Sequence, residues 1–327
     1  MFLGIEIGGT KLQLGVGLGA EAKLMELARH DVDIAAGAEG ILEQIRETSL
    51  PLIAKHKISA IGFGFGGPVD MVGGRAIKSH QVAGWEDFPL AHWCQQNLSL
   101  PAIVGNDCDV AALAEARFGA GRGQDPVFYV TVGTGVGGGL VIGGRIYRGS
   151  GAGAAEIGHL RLPRGDDHWT LESICAGPGI AAAARAELLA HLGKNADAVD
   201  LSRRVVRDLD ELTAKTIAEA AAAGNNLARD VFVSAVHTLG WGVAQVITLV
   251  GPAVVVVGGG VSLAGEELFF APLRKAVDRD VFAPFRGTYA ILPAALGEES
   301  VVHGALALAA DGSTPVDKTK DHANIPV

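Results

Sequence analysis

Hydrophobic and polar positions alternate along the first part of the chain, and this pattern predicts a β-hairpin. The segment Phe2–Ile7 alternates, the letters GGTK follow, and Leu12–Gly17 alternates again. Alternation on both sides of a glycine turn is typical of two paired strands, and Lys23–Val32 adds a third strand. In Ala38–His56 the apolar spacing changes to that of a helix.

The second half of the chain repeats this order of elements. Residues 127–149, VFYVTVGTGVGGGLVIGGRIYRG, predict a strand, a glycine tip, a second strand, a short turn and a third strand. After the first hairpin the sequence predicts the strands AIGFGFGG and LPAIVGND and the helix Val110–Phe118. After the second hairpin it predicts the helices Pro178–His191, Ala214–Gly224 and Leu227–Leu249 and the strand AVVVVGGGVS. The repetition predicts a duplicated α/β unit whose boundary lies near residues 110–125.

Composition and charge narrow the class of protein. Apolar residues make up 49% of the 327 residues, enough for a sizeable core in about two domains. The net charge of −9 argues against nucleic acid and anionic membranes as partners. The longest apolar stretch, VITLVGPAVVVVGGGV, is broken by glycine and proline, which favours a buried strand over a membrane span. The three cysteines, Cys94, Cys108 and Cys175, form no CxxC pair and predict reduced thiols in a cytoplasmic protein.

The two glycine-rich hairpin tips are candidates for binding phosphate. Gly133, Gly135 and Gly138 match the dinucleotide pattern G-x-G-x-x-G, but the residues that follow predict a strand rather than the required helix. GFGFGG matches the same pattern, again without a helix after it, and there is no P-loop motif. Two interpretations remain: a cradle of backbone N–H groups and Thr hydroxyls, to which Lys11 would add charge, or ordinary tight turns. The recurrence of a Gly-Thr tip in both halves favours the cradle.

Asp107 follows a predicted strand and precedes a predicted helix. A carboxylate in this position is often an N-cap, and Asp109 would cap the helix equally well. If Asp109 is the cap, Asp107 is available for another role. The end of a strand in an α/β sheet is where ligands usually bind, so Asp107 is a candidate functional residue.

Glu156 and His159 lie three residues apart in AAEIGHL, so a helical turn would place both on one face. A metal-binding pair, a grip on a polar substrate and a local structural bond are all consistent with this spacing. A di-metal bundle needs two Glu-x-x-His copies, and the sequence contains one. Glu172, in TLESICAGPG, is a third candidate, although alone its pattern is typical of a solvated or capping residue.

Taken together, these motifs resemble the ROK family of sugar kinases, in the actin-like ATPase superfamily, over about residues 3–310. IEIGGTK resembles the first phosphate loop of the family, with Glu6 in place of the common Asp. The other matching segments are GFGFGGPVD, AGWEDFPL, GNDCDVAALAE with the catalytic aspartate, VGTGVGGGLVIGG as the second phosphate loop, GAAEIGH as the sugar motif, and VVVVGGGVS on the adenosine side.

The resemblance implies a two-domain α/β fold of the actin-like (ribonuclease H-like) ATPase class, with a duplicated unit and a cleft between the domains. We expect a small domain at residues 1–115, closed by a C-terminal helix at about 300–311. We expect a large domain at residues 116–299. The polar end of the chain, residues 312–327, is predicted to be a disordered tail.

The resemblance also implies an activity, the transfer of the γ-phosphoryl group of ATP, with Mg2+, to a hexose hydroxyl, most simply O6 of glucose. Asp107 would be the general base. The sugar-binding residues would be Gly67, Asn106, Glu156, His159 and Glu172. The ATP-binding residues would be Gly8, Gly9, Thr10, Lys11, Gly133, Thr134, Gly135, Gly259 and Gly260.

The sequence departs from the family at one place. Many members carry a CxCGxxGC zinc cluster after the Glu-x-Gly-His motif, whereas this chain has LRLPRGDDHWTLES there. A structural zinc site needs about four ligands, so we expect no structural zinc ion and assign no residue as a metal ligand. Asp166, Asp167 and His168 form a polar cluster in this segment, and we interpret it as solvated.

Other functions within the same family are open at this point. A ROK transcriptional repressor would need a DNA-binding segment before the first strand, and we expect none here. A non-catalytic sugar sensor would need no general base. A kinase for fructose, mannose, allose or an N-acetylhexosamine is the main competitor, and polyphosphate is an alternative phosphoryl donor. The resemblance further implies a homodimer, with sugar and ATP as partners.

Overall fold

We describe the fold from a computed structural model, which describes residues 1–79, 81–150, 153–162, 169–191, 193–205 and 208–313. The chain divides into two compact units. Unit 1 is Met1–Val110 together with the chain from Glu299 onward, and unit 2 is Ala111–Glu298. The predicted cluster at 166–168 lies outside the described residues, as does the predicted tail from residue 314 on.

Strands form the centre of each unit. They are β1 (Phe2–Ile7), β2 (Lys11–Gly17), β3 (Leu24–Asp31), β4 (Ala60–Phe65), β5 (Val69–Asp70), β6 (Arg75–Ala76), β7 (Ala102–Asn106), β8 (Val127–Val132), β9 (Val136–Ile142), β10 (Arg145–Ile146), β11 (Val254–Gly258) and β12 (Ala290–Pro293). The helices are α1 (Gly37–His56), α2 (Leu90–Leu98), α3 (Asp107–Phe118), α4 (Leu171–Cys175), α5 (Gly177–His191), α6 (Ala196–Ser202), α7 (Ala214–Ala222), α8 (Asn226–Val250), α9 (Ala271–Asp280) and α10 (Ser300–Ser313).

The two units contain sheets of the same topology. The sheet of unit 1 has the order β3-β2-β1-β4-β7, and that of unit 2 has the order β10-β9-β8-β11-β12. In unit 1 the central strand β1 is antiparallel to β2 and parallel to β4, and β4 is parallel to β7. In unit 2 the central strand β8 is likewise antiparallel to β9 and parallel to β11, and β11 is parallel to β12. The predicted duplicated α/β unit, with a hairpin opening each half, is therefore confirmed.

Glycines let α10 lie directly against the sheet of unit 1. A Cβ added to Gly62 on β4 would come within 1.9 Å of the carbonyl oxygen of Ala305 in α10. Gly304 in α10 is equally close to the backbone of α3, since a Cβ there would lie 1.9 Å from the carbonyl oxygen of Val110. Gly62 of the segment GFGFGG therefore packs a helix against the sheet. Its match to the dinucleotide-binding pattern did not predict this role.

The C-terminal part of α3 is held by one buried carboxylate. Glu115 is fully buried, and it accepts hydrogen bonds from the backbone N–H groups of Ala120 (2.8 Å), Ala295 (3.0 Å) and Leu296 (2.9 Å). Backbone donors offset the cost of removing a carboxylate from water. Glu115 thus joins α3 to the segment that follows β12.

The apolar helix α8 is a core element of unit 2. Its length and composition would allow it to cross a membrane. However, Val231, Phe232, Leu239 and Val243 are buried, and α8 packs against α4, α5, α7 and α9. The helix α8 is therefore a core helix of unit 2.

Some elements differ from the sequence prediction. Helix α3 begins at Asp107 rather than at Val110, because Asn106 caps it, as described below. The segments that form α2, α9 and β12 were not predicted. In α9 only Leu273, Ala276 and Val277 are buried, so the helix carries a narrow apolar stripe among charged residues.

We predict that Gly62→Ala lowers the thermal stability of the protein. The added methyl meets a backbone carbonyl, which no side-chain rotation relieves, and overpacking of this kind costs about 1–3 kcal/mol. Gly15→Ala is the matched control, because its methyl would meet a side-chain atom, Val302 Cγ1, at 2.4 Å. Adding Val302→Ala should restore part of the Tm lost in Gly15→Ala. A wild-type Tm for Gly62→Ala would contradict the close packing of α10.

Candidate active site

The candidate residues of unit 1 follow the carboxyl ends of three parallel strands. In the register of the sheet, Ile7 of β1 pairs with Phe65 of β4, which pairs with Asn106 of β7. The residues after these strand ends are therefore neighbours. A Cβ on Gly66 would lie 3.6 Å from Asp107 Oδ2 and 3.6 Å from the Cα atom of Gly8. This edge of a parallel sheet is the usual place for a ligand.

Asn106 fixes the start of α3. Its Oδ1 accepts hydrogen bonds from the backbone N–H groups of Cys108 (2.9 Å) and Asp109 (3.3 Å), as an N-cap does. Its Nδ2 donates to the carbonyl oxygen of Gly67 at 3.0 Å. The two interpretations that gave the cap to Asp107 or Asp109 are wrong. Asp107 is the first residue of the helix, and its Oδ1 accepts a hydrogen bond from Cys108 N–H at 2.8 Å.

Glu6, which replaces the common Asp of the motif, is buried in this region. Its Oε2 accepts a hydrogen bond from Gln13 Nε2 at 2.7 Å, and Gln13 Oε1 accepts one from Arg29 Nε at 2.9 Å. Arg29 in turn pairs with Glu299. Burial raises the pKa of Glu6, the Lys11 ammonium and Gln13 oppose that shift, and the negative charge of Asp107 adds to it.

The first hairpin tip connects β1 and β2. Gly8 N–H donates to the carbonyl oxygen of Lys11 at 3.0 Å, which closes the turn. The Lys11 ammonium lies 3.3 Å from Glu6 Oε1, and its side chain is 40% exposed. Thr10 is exposed at the tip. Gln81 covers Gly9 so closely that a Cβ there would lie 1.2 Å from Gln81 Oε1. The sequence analysis assigned no role to Gln81.

The second hairpin tip connects β8 and β9 in unit 2. Gly133 N–H donates to the carbonyl oxygen of Gly135 at 2.8 Å, and Gly133 accepts a bond from Gly177 N–H at 2.8 Å. Thr134 is exposed. Glu172, predicted as a sugar ligand, accepts a hydrogen bond from the backbone N–H of Val136 at 2.9 Å through Oε2.

The Glu156–His159 segment lies beside the same strand. Ile157–His159 forms a single 3-10 turn, and the side chains of Glu156 and His159 are exposed. Gly158 packs against β9, since a Cβ there would lie 1.9 Å from the carbonyl oxygen of Val136. The sugar motif, Glu172 and the second hairpin tip are therefore joined within unit 2.

A cavity of about 970 Å³ extends from the second tip in unit 2, which is a suitable volume for a nucleotide. Its polar lining residues include Thr134, Arg185, Asp210, Thr213, Lys215 and Glu219. Gly260 lines it from the other side, and Gly259 precedes Gly260 with a φ of 89°. A Cβ on Gly259 would lie 2.4 Å from the carbonyl oxygen of Val132, so only glycine fits there. The glycines of this cavity belong to motifs visible in the sequence, whereas no motif marks Arg185 and Asp210, whose side chains pair at 3.2 Å.

The described residues contain no group of three or more His, Cys, Asp or Glu side chains arranged to hold a metal ion. The metal-pair interpretation of Glu156 and His159 therefore has no third ligand in the described part of the chain. Residues 163–168, in the segment where the family carries its zinc cluster, lie outside that part. The absence of a structural zinc ion stays a prediction.

We predict that Glu6→Gln stabilises the protein, and does so more strongly as the pH rises. Folding raises the pKa of Glu6, so the folded protein favours the neutral form of this side chain. The resulting stabilisation is complete at a pH below the pKa of Glu6 in the unfolded chain, and it is lost as the pH rises through the pKa in the folded protein. Gln mimics the neutral acid, so the Tm difference between variant and wild type should be near zero at pH 4 and positive at pH 8.

Glu26→Gln provides the control of opposite sign. Lys55 and His56 lower the pKa of this partly exposed carboxyl, so its loss should lower the Tm slightly at pH 8. Thermal unfolding of the three proteins across this pH range tests both expectations. A Tm difference for Glu6→Gln that falls with rising pH would contradict the buried position of Glu6.

Comparison with known proteins identifies the family of the chain. The model of the ROK family matches residues 2–312. The chain is 28% identical to a glucokinase of Thermotoga maritima and 32% identical to one of Streptomyces coelicolor, in each case over 94% of this chain and 96% of the relative. Its fold is similar to a ROK family glucokinase from Streptomyces griseus, solved with glucose and AMPPNP, with a TM-score of 0.81 and 32% identity over 95% of this chain and 99% of that one. The chain belongs to the ROK family.

Proposed function

We propose that this protein is an ATP-dependent hexose kinase that transfers the γ-phosphoryl group to O6 of glucose. Family membership over nearly the whole chain and the similarity to two glucokinases support the reaction class. The neighbouring structure with glucose and AMPPNP supports sugar and nucleotide as the two substrates.

The position of Asp107 is the single observation that carries the proposal. It follows the carboxyl end of β7, and its Oδ2 and the Cα atom of Gly8 each lie 3.6 Å from the position that a Cβ on Gly66 would take. A carboxylate beside a phosphate-binding turn can accept the proton of a sugar hydroxyl while that oxygen attacks the phosphoryl group. The Asn106 cap and the hydrogen bond from Cys108 N–H hold the carboxylate in place.

The sugar would be held by Gly67, Asn106, Glu156, His159 and Glu172. Asn106 has one Nδ2 hydrogen left after its bond to Gly67, and the exposed side chains of Glu156 and His159 offer an acceptor and an imidazole. Binding sites that hydrogen-bond hydroxyl groups discriminate against sugars that lack them, because polar groups of the protein are then left unpaired. These residues would therefore set the choice among hexoses.

The phosphate-binding residues would be those of the tips Gly8–Lys11 and Gly133–Gly135, and the adenosine would bind in the unit 2 cavity beside Gly259 and Gly260. Backbone N–H groups in such tips suit phosphate oxygens. Glu6, whose pKa the nearby Asp107 charge affects, would supply a carboxylate of the kind that Mg2+ takes in addition to phosphate oxygens. When bound, Mg2+ neutralises charge on the transferred group. A cytoplasmic homodimer without structural zinc completes the proposal.

The first test is an ADP-release assay with Mg-ATP against a panel of hexoses and N-acetylhexosamines, with a blank that contains no sugar. Sugar-dependent release, highest with glucose, is the expected result. A different best sugar would replace glucose in the proposal. If folded protein binds a sugar but releases no ADP above the blank, the protein is a sensor or uses another donor such as polyphosphate.

We predict that Asp107→Asn lowers kcat by about 10²–10⁴-fold, the usual contribution of a general base. The Kd for glucose should change little, because Asn keeps the shape of the side chain. Asp33→Asn is the matched control, since Asp33 caps a short 3-10 turn and Asn caps equally well. Turnover of Asp107→Asn within a few-fold of the Asp33→Asn value would exclude Asp107 as the base.

A further inference from the structure

Glu172 contacts the second phosphate tip in two ways. Its Oε2 accepts the hydrogen bond from Val136 N–H at 2.9 Å. The same oxygen lies over Gly135, where an added Cβ would come within 2.6 Å of it. A side chain at position 135 would therefore displace this carboxylate from its present position. Within the described part of the chain, the other oxygen, Oε1, accepts no hydrogen bond.

The segment that carries Glu172 is itself fixed to the tip. Gly177, at the start of α5, donates its N–H to the carbonyl oxygen of Gly133. Thr170 caps α4 through Ser173 N–H, and Leu171 N–H donates to the carbonyl oxygen of Leu160, just after the sugar motif. Hydrogen bonds thus fix the backbone on both sides of Glu172. Among the described residues, its half-buried side chain has one hydrogen bond, the one from Val136 N–H at the tip.

We propose that Glu172 couples the two substrates: its Oε1 takes a sugar hydroxyl while its Oε2 orders the second phosphate tip, so that each substrate strengthens the binding of the other. This inference rests on the proposed function, since it assumes that Glu172 faces the sugar. Binding of the sugar would fix the side chain of Glu172 and, through Val136 N–H, the tip. The nucleotide would then bind a tip that is already ordered, so its binding would lose less conformational entropy.

Glu156 provides the internal comparison. It is also assigned to the sugar, and it is also a carboxylate, but the structure shows no contact between its side chain and residues 133–136 among the described residues. Removal of either carboxylate should weaken sugar binding. Only the loss of Glu172 should also remove the dependence of sugar affinity on the nucleotide.

The experiment measures the Kd of glucose by calorimetry, with and without saturating AMPPNP, for the wild type, Glu172→Ala and Glu156→Ala. The ratio of the two Kd values is the coupling factor, and linkage requires the same factor for AMPPNP with and without glucose. We expect about 5-fold coupling or more in the wild type, the lower end of the usual range, and the same factor in Glu156→Ala. In Glu172→Ala the factor should fall to about 1. Glu172→Gln, which keeps an acceptor without the charge, should lie between the wild type and Glu172→Ala.

Hydrogen exchange gives a second measurement that does not depend on the nucleotide. Glucose alone should slow the exchange of Val136 N–H in the wild type and in Glu156→Ala, but not in Glu172→Ala. Two results would overturn the inference: a wild-type coupling factor of 1, or a Glu172→Ala variant that binds glucose weakly but keeps the wild-type factor. Glu172 would then be a sugar ligand only. The ADP-release assay on the wild type tests the kinase separately, so a protein that turns over sugar without this coupling retains the proposed function.

Discussion

The direct contact between backbone and backbone, made possible by glycine, is the constraint on which this structure depends. In unit 1 the backbone of α10 lies on β4 at Gly62, and the backbone of α3 meets α10 at Gly304. Side chains at either position would separate the layers. Because α3 starts at Asp107, the packing that excludes side chains at Gly304 also fixes the helix that carries the candidate base. Unit 2 has the same kind of contact, because Gly158 packs against the backbone of β9 and Gly259 against the backbone of β8.

The two units share a sheet topology, but they carry different parts of the candidate chemistry. Unit 1 places two carboxylates, Glu6 and Asp107, at the ends of parallel strands. Unit 2 places a cavity of about 970 Å³ beside its hairpin tip, and Gly158 of the proposed sugar motif packs against Val136 next to that tip. Two units with the same sheet can carry different functional groups, because these groups lie at the strand ends and not in the sheet interior.

The sequence allowed the sheets, most helices and the strand-end motifs to be predicted, because alternation, glycine tips and helical spacing are local signals. The features that were missed depend on partners distant in the chain. Glu115 reads as one more helical residue, yet it binds the backbone N–H of Ala295, 180 residues away. The N-cap was assigned to the wrong side chain for a similar reason. Asn106, Asp107 and Asp109 are all suitable caps, and it is the strand register and the bond to Gly67 that select Asn106.

The replacement of the common Asp by Glu6 has a structural explanation. The longer side chain places its Oε2 at 2.7 Å from Gln13 Nε2 on the neighbouring strand, and Gln13 is oriented by Arg29. A buried carboxylate near Asp107 would otherwise face both desolvation and like-charge repulsion, and each raises its pKa. The Lys11 ammonium and the hydrogen bond from Gln13 oppose that shift. Glu6 thus lies buried near Asp107, and the Lys11 ammonium and Gln13 are the groups that favour its charged form.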